Sequence, residues 1–99
     1  MFRAAIKRAV QSVADQVYPS AAQMAHETGE PVIAFTYLNG TITNVTLVQP
    51  SGFPLLDAAA LQAVRIAPYP APPAAFANHS YTWMIAVEFH LAAASVDGD

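Results

Sequence analysis

Histidine, serine and acidic side chains are the groups in this 99-residue chain that could do chemistry. The three histidines are far apart and lack the i, i+4 and His-X-Glu spacings that hold metal ions. They are His26, His79 and His90. The chain has no cysteine, which excludes a disulfide, a thiolate metal site and a cysteine nucleophile. The sequence therefore predicts neither a metal ion nor a cofactor.

A nucleophile and a pair of acids are the remaining catalytic candidates. Ser51-Gly52 lacks the preceding glycine of a nucleophile elbow, and no histidine and acid are placed by sequence to activate the serine. Asp57 suits the first turn of a helix, and Glu88 falls on the outward side of a strand pattern. We therefore expect a turn serine and no catalysis, so that the protein is predicted not to be an enzyme.

Charge and hydropathy limit the partners further. The net charge is −3, and the few strong cations form no stripe along which a phosphate backbone could run, so we expect no nucleic acid. No window of about 18 apolar residues is present, and Lys7 and Arg8 interrupt the first apolar run. We expect no signal peptide or membrane anchor within this chain. Either the protein is cytosolic or the chain is a piece of a longer protein.

Two helices are predicted before the first strand. Apolar residues recur at intervals of three and four from Phe2 to Val17, which predicts an amphipathic helix. Its cations could contact an anionic membrane surface, but three charges are few and we favour packing on the domain or on a second copy. A second, short helix is predicted from Pro19 to about His26, ending near Gly29.

A β-hairpin follows. Residues 31–38 and 41–48 are rich in branched and aromatic side chains, and Asn39-Gly40 between them favours a two-residue turn. Direct pairing would turn Val45 and Leu47 towards solvent. We therefore predict a bulge near Thr43-Asn44.

A helix, a loop and a long strand complete the chain. Helix is predicted from about Pro54 to Ile66, and the proline-rich segment 68–78 is expected to be an extended loop. Tyr81 to Leu91 alternates between apolar and mostly polar or small residues, which predicts a strand with one buried face. The small, acidic segment 92–99 is predicted to be a flexible tail.

These elements predict an α+β fold. A helix that crosses the hairpin would return the last strand beside the first, in a three-stranded antiparallel sheet of order second, first, third with helices on one face. We predict an N-terminal amphipathic helix over 1–17, a domain over 18–91 and a tail over 92–99. The last strand is then an edge.

The order of several short motifs resembles the carboxy-terminal domain of the TonB energy-transducer family, from about Val17 to Leu91. The matching signals are Tyr18-Pro19 with Ala22; Gly29, Phe35 and Gly40; Ser51-Gly52, Leu56-Asp57, Ala60-Leu61 and Ala63-Val64; Tyr69-Pro70; and Val87-Glu88-Phe89. The resemblance implies the same fold with an extra N-terminal helix. It also implies a periplasmic domain that works in energy-dependent transport and binds outer-membrane receptors.

In this family the domain captures a short receptor segment by adding it as a strand to the last strand. A regular edge strand without proline suits that use. The resemblance implies the following partner-binding residues: Tyr81, Thr82, Trp83, Met84, Ile85, Ala86, Val87, Glu88, Phe89, His90 and, from the stretch before Tyr18-Pro19, Gln16. It implies inner-membrane ExbB/ExbD-type partners only if a longer protein supplies a membrane helix.

A different class of function is also open at this stage. The chain could be a free-standing adaptor in which edge strands and the first helix pair between copies, giving a homodimer. A uniform monomer at all concentrations would exclude this alternative.

Overall fold

Three α-helices and a three-stranded sheet form the computed structural model, which describes residues 2–90. The elements are α1 (Phe2–Val17), α2 (Ser20–Met24), β1 (Val32–Leu38), β2 (Thr41–Gln49), α3 (Pro54–Ile66) and β3 (Tyr81–Ala86). The sheet order is β2-β1-β3, with both pairings antiparallel. The predicted fold class and strand order are confirmed.

Residues at the ends of the helices explain where each helix begins and ends. α1 and α3 have the predicted bounds, and Pro54 occupies the first turn of α3. Asp57 in that turn accepts hydrogen bonds from the backbone N–H and the hydroxyl of Ser51, each at 2.8 Å. α2 is shorter than predicted because the chain leaves helical geometry by His26, whose φ is 59°.

The hairpin contains the predicted turn and the predicted bulge. Asn39 and Gly40 both have positive φ. Thr36 pairs with Thr43 but Ala34 pairs with Thr46, so two residues of β2 oppose one of β1. Asn44, within the bulge, has a φ of 54°. A second irregularity, which the sequence pattern did not predict, lies in β2 between Leu47 and Gln49, the partners of Ile33 and Val32.

One hydrophobic core joins α1 and α3 to the inner face of the sheet. It contains Phe2, Ile6, Val10, Val13, Ala14, Ala22, Ile33, Phe35, Tyr37, Leu56, Ala59, Ala60, Ala63, Val64, Ala67, Ile85, Val87 and Phe89. The alanines of α3 let that helix lie close to its neighbours. The apolar face of α1 is therefore used for packing on the domain.

β3 is shorter than the predicted strand from Tyr81 to Leu91. Regular pairing ends at Ala86 and resumes at a single bridge between Gly29 and Phe89. Between these two pairings, Val87 lies opposite Pro31. The Pro31 carbonyl accepts a hydrogen bond from the Val87 N–H at 2.9 Å, but proline has no N–H to donate to Val87. The register nevertheless continues unchanged through the gap. Leu91 and the predicted tail lie outside the described residues.

The proline-rich loop after α3 is extended only in part, whereas the sequence predicted an extended loop throughout. It contains a 3₁₀ turn over Ala74–Phe76. The loop is fixed to the hairpin by the Tyr37 hydroxyl, which donates to the Pro70 carbonyl at 2.7 Å, and by hydrogen bonds between Asn39 and Asn78. None of the helices within residues 2–90 has the length and apolar character needed to cross a bilayer.

Candidate strand-docking edge

β3 lies at one edge of the sheet and has a regular backbone. Gly29 and Phe89 exchange two hydrogen bonds, at 3.0 and 2.8 Å. Bonded and non-bonded pairs alternate along an antiparallel ladder, so the odd-numbered residues of β3 bond to β1. The even-numbered residues then direct their N–H and C=O groups away from the sheet. We call these groups of Thr82, Met84, Ala86 and Glu88 the β3 edge.

The predicted binding residues divide between two faces of this segment. Tyr81, Trp83, Ile85, Val87 and Phe89 lie on the inner face, where Ile85, Val87 and Phe89 are buried. Trp83 is half-buried, and its ring contacts the rings of Tyr81, Phe35, Tyr37 and Phe2 at centroid distances of 5.5 to 6.5 Å. These side chains hold the strand in place. Its outward contacts must come from the backbone and the other face.

The outer face carries small and polar side chains. Met84 is 56% exposed and is the one large apolar group among the even-numbered positions. The hydroxyls of Thr82 and Thr36 lie 3.3 Å apart across the two strands. Ionisable side chains appear only towards the end of the segment, at Glu88 and His90. The outer face therefore presents one exposed apolar side chain, Met84, beside the outward backbone groups.

A row of polar side chains on α1 lies against the β3 edge. The Arg3 guanidinium donates to the Met84 carbonyl at 2.8 Å. The Gln11 amide donates to the Glu88 carbonyl at 2.7 Å and accepts from the Glu88 N–H at 3.0 Å. Lys7 approaches the Glu88 carboxylate at 3.5 Å. We call Arg3, Lys7 and Gln11 the polar stripe.

The polar stripe was missed by the sequence reasoning, although a signal for it exists. Its members are spaced at i, i+4 and i+8, which places them on one face of a helix. This face adjoins the buried stripe, as expected where a helix borders a sheet edge. The sequence alone could not identify the backbone groups that these side chains contact.

The end of the edge is charged. The imidazole of His90 lies 3.2 Å from the Glu30 carboxylate and 4.0 Å from that of Glu88. Lys7 lies on the other side of Glu88, so acidic and basic side chains are close together here. All four side chains are substantially exposed, so water screens these pairs and each adds little to stability.

A shallow polar cleft of about 390 Å³ adjoins His90 and is also lined by Asp15, Tyr18 and Gln23. The Tyr18 hydroxyl donates to the backbone carbonyl of Glu27. Burial raises the pKa of Tyr18 above its ordinary value, and the negative charge of Glu27 adds to this rise. Tyr18 therefore remains a neutral donor at physiological pH.

The other candidates from the sequence lie elsewhere. Gln16 is exposed, and five residues of helix place it about 140° around α1 from Gln11, so its side chain points away from the polar stripe. Ser51 is engaged with Asp57 in the turn before α3. Within residues 2–90, no three His, Asp or Glu side chains converge on a position suited to a metal ion.

Comparison with known proteins points to one family. Residues 14–91 match the family model described as Gram-negative bacterial TonB protein C-terminal. Protein TonB of Haemophilus ducreyi is 37% identical to this chain over 76 residues, which make up 76% of this chain and 27% of that protein. The chain thus spans about a quarter of the length of that relative.

Two solved structures have the same fold. Both are NMR solution structures of the Helicobacter pylori TonB C-terminal domain, each 27% identical to this chain. The longer form gives a TM-score of 0.65 and covers 89% of this chain and 80% of that chain. The shorter form gives 0.57, with 78% and 86% coverage.

Proposed function

This chain belongs to the family of Gram-negative bacterial TonB protein C-terminal domains, and on that premise we propose that it captures a short segment of an outer-membrane receptor as an added β-strand. In this role it is a periplasmic binding module of an energy transducer. Its action is to hold another protein and not to make or break covalent bonds.

The β3 edge is the observation that carries this proposal. Strand addition needs consecutive outward N–H and C=O groups on a strand that is straight and fixed from behind. The register from Tyr37–Tyr81 to Gly29–Phe89 supports straightness, because no residue is inserted or lost along it. The buried Ile85, Val87 and Phe89 support rigidity. An added strand would pair with the backbone, and Met84 and Thr82 would contact its side chains.

A peptide titration followed by amide resonances tests the proposal. The probe is a peptide that copies the periplasmic binding segment of an outer-membrane receptor encoded in the same genome. We expect the largest shifts at residues 82–88 and small shifts on β2. Millimolar peptide without shifts at 82–88 would overturn strand capture at this edge.

Ala86→Pro supplies a variant that removes one outward donor. The Ala86 N–H points away from β1, so proline there costs no hydrogen bond within the sheet, and proline is tolerated on edge strands. We expect peptide affinity to fall by about tenfold, in line with one lost hydrogen bond and a steric block. Ala86→Thr is the matched control, because it keeps the N–H and favours strand geometry.

The coupling to an energy source concerns a longer protein. This chain spans 27% of the H. ducreyi relative, so contact with inner-membrane ExbB/ExbD-type proteins is proposed only for a protein that also carries a membrane helix. The domain itself would supply the receptor contact. The upstream genomic sequence tests this point, since a membrane helix and a spacer are expected in the same reading frame.

A second copy of the chain is the competing occupant of the β3 edge. The exposure of Met84 beside outward backbone groups favours self-pairing, because backbone hydrogen bonding does not depend on sequence. Light scattering over a concentration series distinguishes the two uses. A mass that rises with concentration, and that falls in Ala86→Pro, would identify a homodimer through this edge.

A further inference from the structure

We propose that the polar stripe of α1 is a built-in cover of the β3 edge, which a captured segment must displace. This inference rests on the proposed function, since it concerns regulation of the same edge. The cover consists of side chains that occupy the backbone groups needed by an added strand.

Gln11 imitates a residue of a neighbouring strand. Its amide accepts from the Glu88 N–H at 3.0 Å and donates to the Glu88 carbonyl at 2.7 Å. On the other side of the same strand, Gly29 makes the matching reciprocal pair with Phe89 at 3.0 and 2.8 Å. The carboxamide thus satisfies Glu88 as a backbone amide would.

The same atoms cannot serve two partners. A backbone N–H donates one good hydrogen bond, so an added strand that pairs with Glu88 must replace Gln11. Arg3 occupies the Met84 carbonyl in the same way, at 2.8 Å. By contrast, no side chain within residues 2–90 bonds the outward groups of Thr82 and Ala86. We infer that a segment first pairs at these open positions and then displaces the polar stripe.

The cover can open without loss of the fold. Phe2, Ile6, Val10 and Val13 anchor α1 in the core, on a face different from the polar stripe. Gln11 is half-buried and also donates to Asp15 at 3.0 Å, one helical turn further on. Rotation of the side chain towards Asp15 and solvent would release Glu88 while α1 stays in place.

Gln11→Ala tests the cover. Alanine favours helix, so α1 is expected to remain folded. Loss of two modest hydrogen bonds that hold the covered state should raise the affinity for the receptor-segment peptide by about 3- to 30-fold. Ser12→Ala is the control, because Ser12 is exposed on the same helix about 100° around from Gln11, and its hydroxyl donates to the Ala9 carbonyl within α1 and not to the edge. Its affinity should equal that of the parent chain.

The outcomes separate this inference from the proposed function. Tighter binding to Gln11→Ala, with shifts at residues 82–88 and no change in Ser12→Ala, supports the cover. Equal affinities in all three proteins, with shifts at 82–88, overturn the cover and leave strand capture standing. No shifts at 82–88 in any of them overturn both.

A second measurement distinguishes removal of the cover from a change in the fold of β3. Hydrogen exchange at the Glu88 amide should accelerate in Gln11→Ala, while the amides of Ile85 and Val87, which face β1, should exchange as in the parent chain. Unchanged exchange at Glu88 would overturn the cover. Accelerated exchange at all three amides would mean that β3 itself has loosened, which also contradicts a cover made by side chains alone.

Discussion

The two edges of the sheet are protected in different ways. On β2 the backbone itself is irregular: an extra residue at Asn44 and a second register shift near Val48 interrupt the row of outward groups. On β3 the backbone is regular, and side chains of α1 lie against it.

This difference matters because the two kinds of protection differ in reversibility. A bulge changes the path of the chain and cannot be removed without repacking the hairpin. A hydrogen-bonded side chain can rotate away at a modest cost in free energy, without a change in the path of the chain. Of the two edges, the β3 edge is therefore the one at which we propose capture and release of a partner.

Gly29→Ala should give the largest effect, because Gly29 holds the far end of β3. A Cβ atom there would lie 2.9 Å from the Ser51 Cβ, which is closer than packing allows. We expect the free energy of unfolding to fall by about 1–3 kcal/mol, as for other overpacked sites. Chemical denaturation of the variant measures this loss.

The double variant Gly29→Ala with Ser51→Gly is the control for that clash. Removing the Ser51 side chain opens the space that the new methyl group needs, so the two changes should be less than additive. Additive losses would contradict steric contact at this position, and Gly29 would then need another explanation.

Deletion of Asn44 should reduce the difference between the two edges by making β2 regular from Thr41 to Leu47. The pairs Thr36–Thr43 and Ala34–Thr46 would then become continuous, with Val45 and Leu47 still on the inner face. We expect an unprotected edge and self-association strengthened by about tenfold, equivalent to one or two net hydrogen bonds. Sedimentation over a concentration series measures this self-association.

Asn44→Gly is the matched control for the deletion. Glycine accepts the positive φ of this position, so the bulge should persist and the mass should match that of the parent chain. If the deletion variant also remains at the parent mass, the bulge is not what protects β2.

Lys7→Gln should have the smallest effect. The Lys7–Glu88 pair is about 40% exposed on both sides, and exposed pairs of this kind are screened by water and salt. We expect the free energy of unfolding to change by less than about 0.5 kcal/mol, as measured by denaturation. A larger loss would show that charge, and not the Gln11 amide, is the main link between α1 and the edge.

Much of the fold could be predicted because it depends on local chemistry. The bounds of α1 and α3, the Asn39-Gly40 turn and the bulge at Asn44 follow from periodicity, proline placement and residues that tolerate positive φ. The strand order follows from a short hairpin and one crossover helix. Apart from the strand order, these features involve residues that are near each other in sequence.

The errors arose where a distant segment decides the outcome. Alternation from Tyr81 to Leu91 indicated one long strand, but regular pairing ends at Ala86 because the next residue, Val87, faces Pro31, 56 positions earlier. The 3₁₀ turn at Ala74–Phe76 lies in a loop whose path is fixed by Tyr37 and Asn39. Neither partner can be identified from the local pattern.

The sequence by itself determined the helices, the hairpin, the strand order and the family, since each depends on short-range preferences or on motifs in a fixed order. Only the tertiary structure decided how the β3 edge is protected. Gln11 and Glu88 are 77 residues apart, and their contact depends on how α1 lies beside β3. The spacing of Arg3, Lys7 and Gln11 places them on one face of α1, but it cannot identify the backbone groups that they contact, because every residue has the same backbone groups.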